Sequence, residues 1–351
     1  MANHTTTTVN PRGDFFAGAS KDRPTLAATL MVGSLCLLGL QDSLVKLTSS
    51  DVSLWQFQLL RSACNLALLL VLSRILWGTS RLTPKRTWAV ALRSLFMVGA
   101  MIFFFGGVPF LSLPEIAAGL YVFPLFVAVL SVVVLGEKVG PRRIVAVLTG
   151  FAGTLLILKP ASEAFQWMSL MPVAAGLCYA ATVLTTRRLC RQESPLTLAF
   201  GVSVAFIIVG IVGLAGTAIL NPGTLAVRWP YLFTGWHSLE LWVAAIVVVC
   251  SCLNLTANIG LTKAYQSAET SWLAPFDYSY LIFSTFWGLV MWGNVPDLLT
   301  FAGMALIAAS GCYIAWRERR DSKAPGARTG RPPAPTGKRP TRLQYWSLPP
   351  Y

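Results

Sequence analysis

Four short clusters of ionisable and amide side chains interrupt an otherwise apolar chain. Asp42 and Lys46 lie four residues apart, preceded by Gln41. Arg61 and Asn65 have the same spacing, with Gln58 one turn before Arg61. Asn254 and Asn258 form a third such pair around Thr256, and Asp277 and Tyr278 follow Pro275 in a fourth cluster. On a helix, residues three or four apart lie side by side, so each pair presents one polar face. Arg61 carries a guanidinium that is always ionised and suits a carboxylate or phosphate. Asp277 stands beside a proline that frees backbone carbonyls, which fits proton carriage or recognition of a cation. Polar groups of this kind are expensive in hydrocarbon and are functional candidates by default.

Each cluster also has a plainer reading. Asp42 and Lys46 can form an internal ion pair that fixes packing, and Lys46 can reach the membrane surface. Arg61 can pair with Asp42 or Asp277 instead of a ligand. Asn254 and Asn258 either glue helices together or face a cavity. Trp272 and Tyr280 can stack on a planar group, and Trp272 also fits an interfacial belt. Arg93, two turns into its segment, is expected to snorkel to the nearer surface. Glu115 and Glu269 begin their segments, where an acid complements the helix dipole and caps it. Glu137, followed by Lys138, is expected to organise a loop.

The elements that hold these residues are set by the solvent. The chain has 351 residues, 55% hydrophobic and only 12% charged, with a mean hydropathy of +0.62. A soluble domain carries roughly twice that charged fraction. Apolar stretches of about 20 residues, enough to cross hydrocarbon, follow one another nearly without pause. They predict ten spans near 26–47, 53–73, 87–108, 114–135, 143–159, 167–186, 196–220, 240–262, 270–291 and 298–316. The first is too long and too polar for a cleaved signal peptide.

The charges orient these spans. With the N-terminus in the cytoplasm, 23 of the 28 Lys and Arg residues fall in cytoplasmic segments, against Lys159 and Arg228 outside. That bias is a strong positive-inside signal and agrees with an even number of spans and cytoplasmic termini. The net charge of +14 therefore points to anionic lipid and topology, not to nucleic acid.

The two halves repeat. Trp88, Gly106 and Glu115 recur 154 residues later as Trp242, Gly260 and Glu269, and Leu135–Val139 is echoed by Trp292–Pro296 with Gly136 and Gly293 in register. Five spans per half is an odd number, so the halves are inverted, the pattern of secondary transporters that open a central site to alternate sides. The expected fold is an all-α integral membrane protein of ten helices in two inverted five-helix repeats, 25–160 and 165–317. Residues 1–24 and the basic, Pro-rich segment 318–351 read as disordered cytoplasmic tails. The loop near 221–239, with Trp229, Tyr231 and Trp236, reads as an external aromatic lid or belt.

Several chemistries are excluded. Seven cysteines, six of them in spans, give no disulfide framework. The two histidines, His4 and His237, exclude a His-based metal centre. No phosphate-binding loop, nucleophile elbow or kinase signature occurs, so no cofactor, metal or catalytic residue is expected. A lipid-modifying membrane enzyme would need clustered His, Asp or Ser at one membrane face, and none is found.

Asp42-Ser-Leu-Val-Lys46, Arg61, Leu135-Gly-Glu-Lys138, Ala264-Tyr-Gln-Ser-Ala-Glu269, Pro275-Phe-Asp-Tyr278 and Gly293-Asn-Val-Pro-Asp297 together resemble the drug/metabolite transporter superfamily, in its EamA-type ten-span branch. The second loop copy has Asn294 where the branch usually has an acid, which weakens any symmetric role for Glu137. The resemblance implies a bacterial inner membrane and a small-molecule substrate held between the repeats. Its closest subgroups are riboflavin and S-adenosylmethionine uptake carriers, with export of amino acids or drugs as the alternative. Arg61, Asp42, Asn254, Asn258, Asp277, Tyr278 and Trp272 are the residues expected to line the cavity. Arg61 would hold an anionic group, Asp42 or Asp277 a proton or cation, and Tyr278 and Trp272 a planar ring. Membrane lipids are the expected surroundings, and a homodimer is left open.

Overall fold

The computed structural model describes residues 24–76, 83–135, 141–159, 167–190, 192–220, 223–267 and 270–323. Among these, the regular structure is entirely helical. In chain order the helices are α1 (Pro24–Leu47), α2 (Leu54–Leu76), α3 (Thr87–Gly106), α4 (Leu113–Leu120), α5 (Phe123–Leu135), α6 (Pro141–Leu158) and α7 (Leu170–Leu189). They continue as α8 (Pro195–Leu220), α9 (Thr224–Arg228), α10 (Pro230–Phe233), α11 (Leu241–Ser267), α12 (Thr270–Asp277), α13 (Ser279–Trp292) and α14 (Leu298–Lys323). A backbone in hydrocarbon must satisfy its own hydrogen bonds, and an uninterrupted helix does so.

Seven stretches among the described residues are long and apolar enough to cross a membrane, and two shorter apolar helices, Ile144–Leu158 and Leu298–Ile314, accompany them. The protein is accordingly a multi-pass membrane protein. Ten spans were expected. The remaining segment, α12 with α13, is broken in the middle, and α6 and the apolar part of α14 are short. The helix of α14 also runs on to Lys323, past residue 317 where the sequence suggested that a tail begins. The rest of that tail, most of the N-terminal one, Glu137 and Glu269 lie outside the described residues.

Two breaks shape the interior. The first separates α4 from α5 at Tyr121 and Val122, and the second separates α12 from α13 at Tyr278. Pro124 stands in the first turn of α5, where its ring denies the helix a continuous ladder back to Leu120. Pro275 sits inside α12 and removes another ladder bond. Both break residues have nearly the same backbone angles, φ −71° and ψ 5° at Tyr121 and φ −67° and ψ −8° at Tyr278. They are 157 residues apart, the same interval that separates Gly136 from Gly293. The start of α4 is fixed by a capping box, with the Ser112 backbone N–H donating to Glu115 Oε2 at 2.9 Å. This is the capping role expected of Glu115.

The helices pack in pairs: α6 on α14, α1 on α11, α3 on α7, and α2 on α8. Small residues let the α6–α14 pair close, since a Cβ on Gly153 would come within 2.8 Å of the Gly303 carbonyl oxygen. The loop expected to be an external aromatic lid or belt keeps Trp236 exposed, at 57%, but turns one short segment inward. Its short helix α10 buries Tyr231 and Leu232, and Trp229 packs on Phe110 with ring centroids 5.7 Å apart. Three bonds hold the loop over the start of α2. Trp55 Nε1 donates to Leu232 O at 2.7 Å, Gln56 Nε2 to His237 O at 2.9 Å, and the His237 backbone N–H to Gln56 Oε1 at 2.9 Å. At the other end of the bundle, the Glu193 carboxylate accepts from the backbone N–H groups of Lys85 at 3.1 Å and Arg86 at 2.8 Å, where α3 begins and its dipole favours an anion.

Candidate functional site

The two broken helices meet, and the buried acids gather where they do. Tyr121 and Tyr278, the break residues, lie with ring centroids 5.6 Å apart. Tyr280, on the first turn of α13, stacks on Tyr121 at 5.3 Å with an interplanar angle of 14°. All three rings are buried. The hydroxyl of Tyr280 donates to Asp42 Oδ2 on α1, while Gln41 Nε2 donates to Asp42 Oδ1 at 3.1 Å. Both carboxyl oxygens of Asp42 therefore accept a bond. Asp277, partly buried at the end of α12, is hydrogen-bonded by the Tyr121 side chain. Tyrosines thus link two acids from different helices into one cluster at the breaks.

Arg61 lies next to this cluster on α2 and is 4% exposed. Its guanidinium carbon is 5.3 Å from the Phe105 ring centroid and 5.9 Å from that of Phe206, within cation–π range. Asp42 is the nearby acid whose charge acts on it. The ion pair expected between Arg61 and Asp42 or Asp277 is not made: among the described residues the salt bridge is Lys159–Asp297, at 2.7 Å and outside the spans.

Two other expectations are replaced. Asp42 and Lys46 do not pair, because Asp42 is taken by Tyr280 and Gln41. Lys46 instead donates from Nζ to Leu111 O at 2.5 Å and lies 5.5 Å from the Trp292 ring centroid. Arg93 does not snorkel. Its Nε donates to Thr186 Oγ1 at 3.3 Å and its Nη1 to Leu198 O at 3.4 Å, which ties α3 to α7 and α8. The two asparagines divide. Asn254 accepts from Asn65 Nδ2 at 3.4 Å across the α2–α11 contact, so it joins helices. Asn258 is exposed and bonds back to Asn254 O at 2.8 Å. The Trp272 side chain lies outside the described residues.

The structure therefore gathers Asp42, Arg61, Asp277 and Tyr278 and leaves Asn258 exposed outside the cluster. It adds Tyr121, Phe105 and Phe206, which the sequence did not single out, and Tyr231, which the sequence placed in an external aromatic loop. The interval of 157 between Tyr121 and Tyr278 was a usable signal. The cluster is closely packed; a cavity of about 10 Å³ lies apart from it, against Leu111, Glu115 and Gly119. No group of three or more His, Cys, Asp and Glu among the described residues is placed to hold a metal ion.

Residues 25–159 match the EamA-like transporter family. A riboflavin transporter of Rhizobium johnstonii is 29% identical over 204 residues, which is 58% of this chain and 61% of that protein. An S-adenosylmethionine uptake transporter of Rickettsia bellii is 22% identical over 246 residues, 70% of this chain and 78% of its own. The match thus spans about three-fifths of the riboflavin transporter. A solved crystal structure superposes with a TM-score of 0.52 at 18% identity, covering 86% of this chain and 99% of the other, which shows a shared fold.

Proposed function

We propose, on the premise that residues 25–159 form an EamA-like transporter domain, that this chain is a secondary transporter of a small organic metabolite. The observation that carries the reading is the meeting of the two helix breaks, Tyr121 against Tyr278, beside Asp42, Asp277 and Arg61. Interrupted helices at corresponding places in two halves of a transporter mark its substrate site, because irregular backbone is tolerated there only where it lines a path.

Packing supports ten spans in two inverted five-helix repeats. Counting α4 with α5 and α12 with α13 as single spans, exchange of the halves maps the α1–α11 contact onto α7–α3. The same exchange maps α2–α11 onto α8–α3 and leaves α2–α8 and α6–α14 paired with themselves. The loop ties obey it too: Gln56 holds the chain just before α11, and Glu193 holds it just before α3. Swapping the conformations of the repeats about the Tyr121–Tyr278 contact would open Asp42, Arg61 and Asp277 to one side and then the other. The positive-inside bias supports cytoplasmic termini and a bacterial inner membrane.

The relatives named for riboflavin and S-adenosylmethionine support uptake of a planar, nitrogen-rich metabolite. In this reading Arg61 holds its electron-rich edge, Asp42 and Asp277 carry a proton or meet a cation, and Tyr278 and Trp272 cover a ring. The test is uptake by proteoliposomes of purified protein, with riboflavin and S-adenosylmethionine as labelled solutes. Gradient-driven accumulation of unchanged solute, abolished in Arg61→Ala while the variant still inserts and folds, is the expected result. Wild-type rates in Arg61→Ala would remove that residue from the site, and no solute movement in any gradient would overturn the transporter reading.

A further inference from the structure

Exchange of the repeats holds for the main helix pairs and fails where the broken helices cross to the other repeat. α4 and α12 are counterparts: each has eight residues, and their first and their last residues are both 157 apart. α5 and α13 follow them across the breaks. α4 packs against α13 and reaches α14, both in the other repeat. The approach is close, since a Cβ on Gly288 would lie 3.2 Å from Pro114 Cδ and 3.7 Å from Leu113 Cβ. Leu113 is 2% exposed, and Pro114 and Gly288 are buried. The mates of these contacts are α12 with α5 and α12 with α6. Among the described residues neither pair is packed to a comparable extent.

Burial departs from the exchange in the same sense. Ala118 in α4 is 0% exposed, whereas Pro275, its counterpart in α12, is exposed. Residues 104–108, where α3 ends, are all buried. Their counterparts 154 positions on, residues 258–262 of α11, include no buried residue. Asn258 stands one turn after Asn254, on the face of α11 that Asn254 turns toward Asn65 of α2. Thr256, two positions earlier, points about 160° away and is exposed as well. One lipid-facing side of α11 cannot account for both, so α11 is uncovered on its inner side at this depth. By chain direction α4, α13 and residues 104–108 share the half of the bundle that the proposed topology places outside. α5, α12 and residues 258–262 share the cytoplasmic half. The outer half is also latched: Lys46, at the end of α1, donates to Leu111 O just before α4 at 2.5 Å and lies 5.5 Å from the ring centroid of Trp292, which ends α13.

We propose that the chain rests facing the cytoplasm, with the seam of α4 on α13, pinned by Lys46, as its external gate. The cytoplasmic gate is then the contact of α5 with α12, which forms when the repeats exchange conformations. The proposal rests on the transporter reading and goes beyond it by naming the resting side and the residues that must part. It also gives Gly288 a task, since a side chain there would press on the Pro114 ring and hold the external gate ajar.

Substituted cysteines test both gates in the full chain, reconstituted in liposomes, with cross-links and labels located by peptide mass mapping. The Cβ atoms of a disulfide sit about 3.8 Å apart, so Leu113→Cys with Gly288→Cys should cross-link under copper–phenanthroline. The mates of these positions at the interval of 157 are Thr270 and Ser131. Thr270→Cys with Ser131→Cys should cross-link at least tenfold more slowly without solute. Oxidising the external pair should slow exchange of labelled riboflavin or S-adenosylmethionine at least tenfold, and reductant should restore it, which separates locking from misfolding. A second readout leaves the seam untouched. Asn258→Cys should react with a membrane-impermeant maleimide from the cytoplasmic side, while the native Cys252, exposed one turn before Thr256, should stay unlabelled as a thiol facing hydrocarbon. An external pair that does not cross-link, mates that cross-link as fast, or Asn258→Cys left unlabelled from the cytoplasmic side would each overturn the proposal. The two readings fail separately. Solute exchange with both cysteine pairs cross-linking alike would remove the resting side and leave the transporter standing. The expected cross-links with no solute crossing would keep the asymmetry of the two ends and sink the transporter.

Discussion

The bond from Tyr280 to Asp42 joins α13 to α1 at the break of one helix, and its strength can be isolated. Tyr280→Phe keeps the ring that stacks on Tyr121 at 5.3 Å and removes only the hydroxyl. Asp42 would then keep one donor, Gln41 Nε2 at 3.1 Å, in a site where it is 7% exposed. A hydrogen bond to a charged group contributes about 1.5–3 kcal/mol and a neutral one about 1 kcal/mol. Tyr280→Phe should therefore destabilise the protein by about 2 kcal/mol. In an Asp42→Asn background the same hydroxyl meets a neutral amide, so its removal should cost only about 1 kcal/mol. The coupling in a double-mutant cycle is then about 1 kcal/mol, outside the roughly 0.3–0.5 kcal/mol within which independent sites add. The assay is equilibrium unfolding in mixed micelles for the four proteins of the cycle. Additivity within error would refute the reasoning, because it would mean that the hydroxyl and the carboxylate do not act on each other.

Three further outcomes follow from particular contacts. A Cβ on Gly311 would overlap the Tyr278 hydroxyl and ring carbon Cζ and lie 2.9 Å from ring carbon Cε2, so Gly311→Ala should cost about 1–3 kcal/mol by overpacking, and Tyr278→Phe should restore only part of the lost melting temperature; full rescue would show that the ring itself moves aside. Gln56→Ala deletes both bonds to His237, and amide hydrogen exchange across residues 234–240 should quicken roughly tenfold or more for about 1–2 kcal/mol lost, without change in α6 or α14. The Lys159 ammonium, hydrogen-bonded to Asp297, holds that carboxyl down at about 2, below its unfolded value, so the pair's contribution is present above about pH 4 and fades as pH falls through about 2. Because the pair is exposed (24% and 51%), screening limits that contribution to about 0.5 kcal/mol. Asp297→Asn should accordingly remove this small pH dependence of unfolding, and an unaltered acid limb would assign it to another group.

The sequence by itself determined the solvent, the helical fold and most helix limits. Apolar length decides these, and hydrocarbon leaves a backbone few alternatives to a helix. The proposed repeat rests in the sequence on Trp88 and Trp242, Gly106 and Gly260, and Gly136 and Gly293. The polar residues were legible as a set, because a charge in an apolar run stands out without any knowledge of its neighbours. Their partners were not. Helical spacing put Asp42 with Lys46, yet Asp42 bonds Tyr280, 238 positions away, and Lys46 bonds Leu111 O, 65 positions away. Side chains on one face can choose between a neighbour along the helix and a group on another helix, and only packing decides which is closer. Tyr121 was passed over, and Tyr231 was assigned to a surface loop, for the same reason. A tyrosine in an aromatic-rich membrane sequence carries no mark of its burial, and it took the breaks at Tyr121 and Tyr278 to bring three tyrosine rings together and the packing of α10 to bury Tyr231.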